Sequence, residues 1–137
     1  MNYLIDSGFL YSSLNKAEQS HAHVARGAAS LTGRMLLPVP AIAEVAYLLR
    51  RDLGAPAVAN FIGRLPHSGL ILENPLAEDY QRAADIMRQY ADAKLDFVDA
   101  LIVALAERLN ITRLLTLDQR DFRIIRPRHC AAFELLP

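Results

Sequence analysis

The chain has 137 residues, of which 53% are hydrophobic, and its 15 basic residues balance 15 acidic ones. This length suits a single domain over residues 1–137, and the composition excludes disorder. The apolar runs fall short of the roughly 20 residues of a membrane span, and the N-terminus does not resemble a secretion signal. One cysteine and four scattered histidines exclude an internal disulfide and a zinc cluster, so any metal must have oxygen ligands. We expect a soluble, cytoplasmic protein.

Short apolar runs alternate with longer stretches of helical periodicity. The apolar runs end at turn signals, such as Asp6-Ser7-Gly8 and Asn74-Pro75. Pro40 suits the first turn of a helix that Gly54 ends. In chain order we expect a strand at 2–5, helices at 9–14 and 17–31, a strand at 35–39, helices from Pro40 to about Leu53 and at 56–65, a strand at 69–73, helices at 76–93 and 95–109, and strands at 111–117 and 122–125.

This alternation predicts an α/β fold with a mostly parallel sheet, because right-handed crossovers cover both faces of such a sheet with helices. Ligand sites in parallel sheets form beyond the carboxyl ends of the strands. Asp6 and Asp118 each follow a predicted strand, so both belong to that edge. The helix at 76–93 is amphipathic, and its apolar side consists of Leu76, Tyr80, Ala83, Ala84, Met87 and Tyr90.

Two further carboxylates lie in unusually apolar surroundings. Glu44 is the only charged residue in residues 36–49, and Asp99 is followed by seven uncharged apolar residues. Burying either carboxylate without a partner would cost several kcal/mol or raise its pKa until it is protonated. The dipole of the predicted helix favours an anion near its N-terminus, where Asp99 lies, by about 0.3 to 1 kcal/mol.

Asp6, Glu44, Asp99 and Asp118 therefore form a candidate site of four carboxylates. Such groups repel one another unless a divalent cation lies among them, and hard oxygen ligands favour Mg²⁺ or Mn²⁺. Taken singly, Glu44 is equally consistent with solvent exposure, and Asp6 with a turn after a strand. Asp96, one helical turn before Asp99, is better explained as an N-cap.

The chain resembles the PIN-domain nucleases and, among them, the VapC-type toxins of bacterial toxin–antitoxin systems. The resemblance extends through "YLIDSGFL", "PAIAEVAYLL", "LDFVDALIVALAERLNITRLLTLDQRDF" and "IIRPRH", which is nearly the whole chain. It implies a three-layer α/β/α domain with a short, mostly parallel central sheet. It also implies that the four catalytic metal ligands are Asp6, Glu44, Asp99 and Asp118. Asp96 is then an accessory carboxylate.

Three further residues are helper candidates by the same resemblance. Thr116 matches a hydroxyl that would hold a water or a phosphate oxygen, although β propensity explains a threonine in a strand equally well. Asp121 is a supporting or capping candidate. Many relatives carry a hydroxyl residue where this chain has Gly8, which leaves Ser7 as its substitute.

The implied activity is that of a Mg²⁺- or Mn²⁺-dependent endoribonuclease, the toxin of a toxin–antitoxin pair, which hydrolyses RNA phosphodiester bonds through metal-activated water. The resemblance also implies a homodimer, and a cognate antitoxin that packs its C-terminal segment across the active-site groove. Residues 108–129 contain six arginines and two aspartates, a local charge of +4. We expect the arginines that follow Asp118 to hold the RNA backbone, namely Arg120, Arg123, Arg126 and Arg128.

Three other functions fit parts of the pattern. A haloacid-dehalogenase-like phosphatase also has an aspartate after its first strand, but it needs a second one at the position of Gly8. A non-catalytic PIN-like binding module would be favoured by the loss of a carboxylate, and all four are present. A housekeeping RNA-processing PIN nuclease would share the fold and chemistry, and the compact chain favours the toxin over it.

Overall fold

Five parallel strands form the centre of the molecule, and counted along the chain they lie side by side in the order third, second, first, fourth, fifth. The structure is a computed structural model that describes residues 1–137. The strands are β1 Asn2–Ile5, β2 Arg34–Pro38, β3 Ile71–Glu73, β4 Arg113–Leu115 and β5 Glu134–Leu136. The helices are α1 Ser7–Leu14, α2 His21–Ala29, α3 Val39–Leu53, α4 Ala55–Arg64, α5 Ala77–Gln89, α6 Phe97–Leu109 and α7 Gln119–Ile124, with short 3₁₀ turns at Leu65–His67 and Ala91–Ala93.

The strand order determines on which face each helix lies. The connections from β1 to β2 to β3 move in one direction across the sheet, and those from β3 to β4 to β5 move in the other. Because such crossovers are right-handed, α1 to α4 cover one face and α5 to α7 the opposite face. The contacts agree, since α1, α2, α3 and α4 pack against one another while α5 packs against α6. This is the three-layer α/β/α fold that the sequence predicts, and its sheet is entirely parallel.

Helix α6 is the most deeply buried helix of the fold. Its residues from Ala100 to Ala106 are all buried, together with Val98. A helix that is apolar on every side belongs in a core, where each large side chain contributes about 1.5 to 3 kcal/mol by leaving water. Asp99 is the only charged residue in its first turn. None of the helices is long and apolar enough to cross a membrane.

The central pair of strands, β1 and β4, lies where the direction of the connections reverses. The backbone N–H of Asp6 donates to the carbonyl oxygen of Leu115 at 3.1 Å, which joins the carboxyl ends of the two strands. Open parallel sheets bind ligands in the crevice at such a reversal point. The first residues after β1 and β4 are therefore held together at the edge where a site is expected.

The C-terminal part of the chain differs from the prediction. Residues 122–125 do not form a strand but belong to α7 and its end. Phe122 and Ile125 are buried while the two residues between them are exposed, a spacing of three that only a helical turn provides. The run was predicted as a strand because Phe and Ile have high β propensity. The fifth strand is Glu134–Leu136, which the sequence analysis did not predict.

The apolar side of α5 is only partly buried. Its buried residues are Asp79, Ala83 and Ile86, whereas Tyr80 is 46% exposed. Asp79 can face the core because its carboxylate accepts from the Arg108 guanidinium at 2.9 Å and from the backbone N–H of Leu76 at 2.8 Å. The core-facing side is thus rotated away from the predicted one. Leu76, Tyr80 and Met87 remain as an exposed apolar stripe.

Candidate active site

Three of the four predicted carboxylates, Asp6, Asp99 and Asp118, line a cavity of about 370 Å³ at the carboxyl edge of the sheet. Glu44 reaches this cavity through Ser7, whose hydroxyl donates to Glu44 Oε1 at 3.1 Å. Glu44 comes from α3 and Asp99 from α6, so helices on opposite faces of the sheet meet at this edge. The residues that line the cavity are Asp6, Ser7, Gly8, Asp96, Asp99, Leu117 and Asp118.

Asp6 combines the turn role and the site role that the sequence left open. It is the N-cap of α1, where Oδ1 accepts from the backbone N–H of Phe9 at 2.9 Å. Its other oxygen, Oδ2, accepts from the hydroxyl of Thr116. Burial raises the pKa of Asp6 to about 6, although both hydrogen bonds act to lower it. The side chain is therefore fixed in orientation and still lines the cavity.

Asp99 is the carboxylate with the strongest electrostatic conflict. Burial and, to a smaller extent, the charges of the neighbouring acidic side chains together raise its pKa to about 8. No hydrogen bond or cation acts in the opposite direction. At neutral pH the isolated protein therefore tends to keep a proton on Asp99, which a bound cation would displace. The contributing neighbours are Asp6, Asp118, Asp96 and Glu44.

Glu44 and Asp96 face each other across the edge of the cavity. Burial raises the pKa of Glu44, and the charge of Asp96 raises it further, while the bond from Ser7 lowers it. Glu44 is thus half-buried rather than solvated. Asp96 occupies the predicted N-cap position of α6, but its side chain makes no capping hydrogen bond. Its exposed carboxylate is instead available to the site, and the hydroxyl of Ser7 is placed to support Glu44.

The carboxylate of Asp121 lies beside those of Asp99 and Asp118. One carboxylate oxygen each from Asp99, Asp118 and Asp121 lies within 4.8 Å of the other two. Burial raises the pKa of Asp118, and the charge of Asp121 raises it further. Asp118 and Asp121 are three residues apart, a spacing that brings side chains together on a helix. Because the sequence analysis predicted a strand at 122–125, it did not use this helical spacing.

The remaining carboxylates near the core show what a structural carboxylate looks like in this chain. Glu107 accepts from Arg82 at 2.7 Å, and Asp79 from Arg108 at 2.9 Å. Despite burial, the pKa of Glu107 is lowered by its hydrogen bonds with Arg82 and the Arg128 backbone. No lysine or arginine forms an ion pair with a carboxylate of the site. An all-oxygen cluster without a cation suits a hard divalent ion.

Comparison with known proteins agrees with this geometry. The PIN domain family matches residues 3–126. The chain belongs to the PIN-domain family. It is 30% identical over 134 residues to the ribonuclease VapC26 of Mycobacterium tuberculosis, which covers 98% of this chain and 99% of that protein. PIN domains are a family of metal-dependent nucleases, and the carboxylates of Asp99, Asp118 and Asp121 form a candidate metal-binding cluster in this structure.

Solved structures share the PIN fold over most of their length. The toxin VapC20 of Mycobacterium tuberculosis, which cleaves the sarcin–ricin loop, superposes with a TM-score of 0.80 at 19% identity, over 86% of this chain and 91% of that one. VapBC2 of Rickettsia felis, solved with a DNA fragment of its promoter, gives a TM-score of 0.71 at 16% identity, over 98% of both chains. At these identities the likeness establishes the fold.

Thr116 follows β4 directly and lies inside this PIN domain between Asp6 and the backbone of Asp118. Its side chain is fully buried, and its hydroxyl donates to Asp6 while accepting from the backbone N–H of Asp118 at 2.9 Å. The hydroxyl therefore donates one hydrogen bond and accepts another within the protein, and neither is made to a water or phosphate in the cavity. Thr116 links the carboxylate of Asp6 to the backbone of Asp118.

Replacing Thr116 should reduce activity without removing a ligand. We expect Thr116→Val to lower RNA cleavage and divalent-ion affinity roughly 10- to 100-fold, because Asp6 loses its orienting donor. Thr116→Ser keeps the hydroxyl and should stay within a few fold of the original protein. Isothermal titration with Mn²⁺ and initial cleavage rates measure both effects. Equal values for the valine variant and the original protein would show that this hydrogen bond is dispensable.

The four arginines predicted to bind RNA do not all lie at the same distance from the site carboxylates. All four are exposed, and none forms an ion pair with an acidic side chain. Arg120 is near enough to lower the pKa of Asp118. Arg128 instead lines a second cavity with Glu107, at the opposite end of α6 from Asp99. Eight residues of helix separate Asp99 from Glu107, which corresponds to about 12 Å.

Proposed function

We propose that this PIN-domain chain, as one nuclease unit over residues 1–137, is an endoribonuclease and the toxin of a toxin–antitoxin pair in the cytoplasm. The observation that carries the proposal is a cluster of carboxylates at the carboxyl edge of a parallel sheet, none of which forms an ion pair with a lysine or arginine. The likeness to a VapC ribonuclease over almost the whole chain supports RNA as the substrate. A housekeeping RNA-processing nuclease is the second candidate, since it would use the same site.

Mg²⁺ or Mn²⁺ is the proposed cofactor, held by Asp6, Glu44, Asp99 and Asp118 with Asp96 as an accessory. When bound, the cation supplies positive charge that activates a water and offsets the charge of the phosphate. Asp6 is held in one orientation by two hydrogen bonds, so little reorganisation accompanies binding. The proximity of Asp121 to this cluster supports a role for it as a further acidic group.

We propose that the C-terminal arginines hold the RNA backbone on one side of this site. Arg120 is next to the carboxylates, and Arg123 and Arg126 follow it along the chain. Arg128 would hold a more distant part of the backbone, because it lies at the opposite end of α6 from Asp99. Contacts of this kind position phosphate and do not read bases. Their contribution falls as salt rises, so replacing Arg123 with Gln should flatten the dependence of RNA affinity on salt.

The proposed protein partners are a cognate antitoxin and a second copy of the chain. Two of the structural relatives are a toxin–antitoxin complex of Klebsiella pneumoniae and FitAcB of Neisseria gonorrhoeae, and a peptide laid across the site would block its substrate. For the homodimer, the exposed stripe of α5 offers a surface, since Tyr80 stacks on the exposed Phe97 with ring centroids 6.3 Å apart. Light scattering of the purified chain, compared with Tyr80→Glu, distinguishes dimer from monomer.

The decisive experiment for the function is cleavage of a total-RNA substrate by the purified chain. We expect fragments in the presence of Mg²⁺ or Mn²⁺ and none after chelation, because the repelling carboxylates cannot bind a phosphate without a cation. Restoring the ion should restore cleavage, which excludes damage by the chelator. Cleavage that persists in chelator would contradict metal dependence. Divalent-ion binding without any cleavage would favour a binding module over a nuclease.

A further inference from the structure

The most exposed aromatic side chain of the molecule lies one helical turn beyond Glu44. Tyr47 on α3 is 66% exposed, more than any other large hydrophobic residue. It lines a cavity of about 390 Å³ with Ala43, Glu44 and Leu48. Glu44 also accepts the hydrogen bond from Ser7, which lines the active-site cavity. Glu44 is therefore the border between the carboxylate site and a mainly apolar cavity.

The surface of α3 carries three different groups in sequence. Glu44, Tyr47 and Arg50 follow one another at intervals of three residues, and such residues are neighbours on a helix, about 5 to 6 Å apart at Cβ. Arg50 is exposed and forms no ion pair, whereas Arg51 donates to Asp52 at 2.8 Å. A site carboxylate, an aromatic ring and a free cation thus form one stripe. We call it the α3 stripe.

Single-stranded RNA offers two complementary groups at every nucleotide, a base with two flat faces and a phosphate. Proteins bind such strands by stacking bases on aromatic side chains and placing cations along the backbone. The stripe provides both next to the carboxylates. In the sheet, β2, which leads into α3, and β4, which leads into α7, lie on either side of β1. A strand crossing this edge would meet Arg120, then the carboxylates, then the α3 stripe.

We infer that Tyr47 is a substrate-positioning residue, on which a nucleobase next to the cleaved phosphate stacks as it enters the cavity beside Glu44. The inference rests on the proposed nuclease activity and adds to it a binding site for one base. Stacking tolerates every base, because each has an aromatic face, so Tyr47 fixes the position of the strand more than its sequence. Leu48 and Ala43 supply the apolar wall that shields the base from water.

The experiment compares Tyr47→Ala, Tyr47→Phe and the original protein on a short RNA that the original protein cleaves. We expect the alanine variant to raise KM roughly 5- to 150-fold with kcat nearly unchanged, and the phenylalanine variant to behave as the original. With an abasic nucleotide beside the cleaved phosphate, all three proteins should show the same raised KM. Ile62→Ala removes an exposed apolar side chain that lines no cavity, and should leave KM unaltered.

The outcomes separate this inference from the function beneath it. If the original protein cleaves no RNA, the proposed function fails first. If it cleaves RNA but Tyr47→Ala keeps its KM, or still raises KM on the abasic substrate, Tyr47 holds no base. If Tyr47→Ala instead converts a dimer into a monomer in light scattering, the stripe is an interface between copies of the chain, and the inference is overturned.

Discussion

We expect Asp99→Asn to lower the rate of RNA cleavage roughly 10²- to 10³-fold or more, and Asp96→Asn to retain most of the activity. Asp99 is partly buried in the first turn of α6 and surrounded by acidic side chains without a protein cation. Removing its charge leaves too little negative charge to hold a divalent ion. Asp96 is exposed at the N-cap position and faces mainly Glu44, so its loss is milder.

The two variants are matched, since they remove one carboxylate each from the same helical turn. Initial cleavage rates at several Mn²⁺ concentrations measure the effect, and circular dichroism verifies that both variants fold. Excess metal should partly rescue Asp96→Asn and not Asp99→Asn. An active Asp99→Asn beside an inactive Asp96→Asn would reverse the two roles.

The second large effect is on stability without divalent ions. The pKa of Asp99 is raised to about 8 and that of Asp6 to about 6, whereas in the unfolded chain both lie near 3.8. Between its unfolded and its folded pKa, each carboxyl group is ionised in the unfolded chain and protonated in the folded one. The free energy of unfolding therefore falls as the pH rises. We therefore expect the melting temperature of the apo protein to decrease from pH 5 to pH 8 by about 5 °C or more. Mg²⁺ or Mn²⁺ should reverse the decrease.

Two substitutions of opposite expected sign test the cause. Asp99→Asn removes the repelling charge, so it should raise the melting temperature of the apo protein at pH 8 and flatten its pH dependence. Glu107→Gln removes a carboxylate whose pKa is lowered by Arg82, so it should lower the melting temperature. Differential scanning calorimetry in chelator measures both. A lower melting temperature for Asp99→Asn would reveal a structural partner for this carboxylate.

The acidic cluster could be predicted because it depends on rules that act over short sequence windows. Asp6 and Asp118 follow apolar runs, and the parallel-sheet rule alone brings them to one edge. Glu44 and Asp99 differ from their apolar neighbours by a single charge, which is visible without a structure. A short stretch of sequence does not show that α3 and α6 approach this edge from opposite faces of the sheet. That arrangement follows from the strand order.

Other features depend on packing that the sequence does not express. Asp79 is buried because Arg108, 29 residues away, reaches it, and this pairing rotates α5 away from its predicted apolar side. The run from Phe122 to Ile125 has the composition of a strand, yet its side chains pack with helical spacing. The buried position of Thr116 follows from the pairing of β1 with β4, which joins opposite ends of the chain.

That pairing also sets when the enzyme can become active during its own synthesis. Thr116 and Asp6, which it binds, are 110 residues apart, so the hydrogen bond that orients Asp6 cannot form until most of the chain has been translated. Before β4 and Asp118 leave the ribosome, β1 has no neighbour on that side and the carboxylate cluster is incomplete. A nascent chain that still lacks β4 and Asp118 therefore has neither the donor that orients Asp6 nor the full set of carboxylates. Only the last fifth of the protein completes the site.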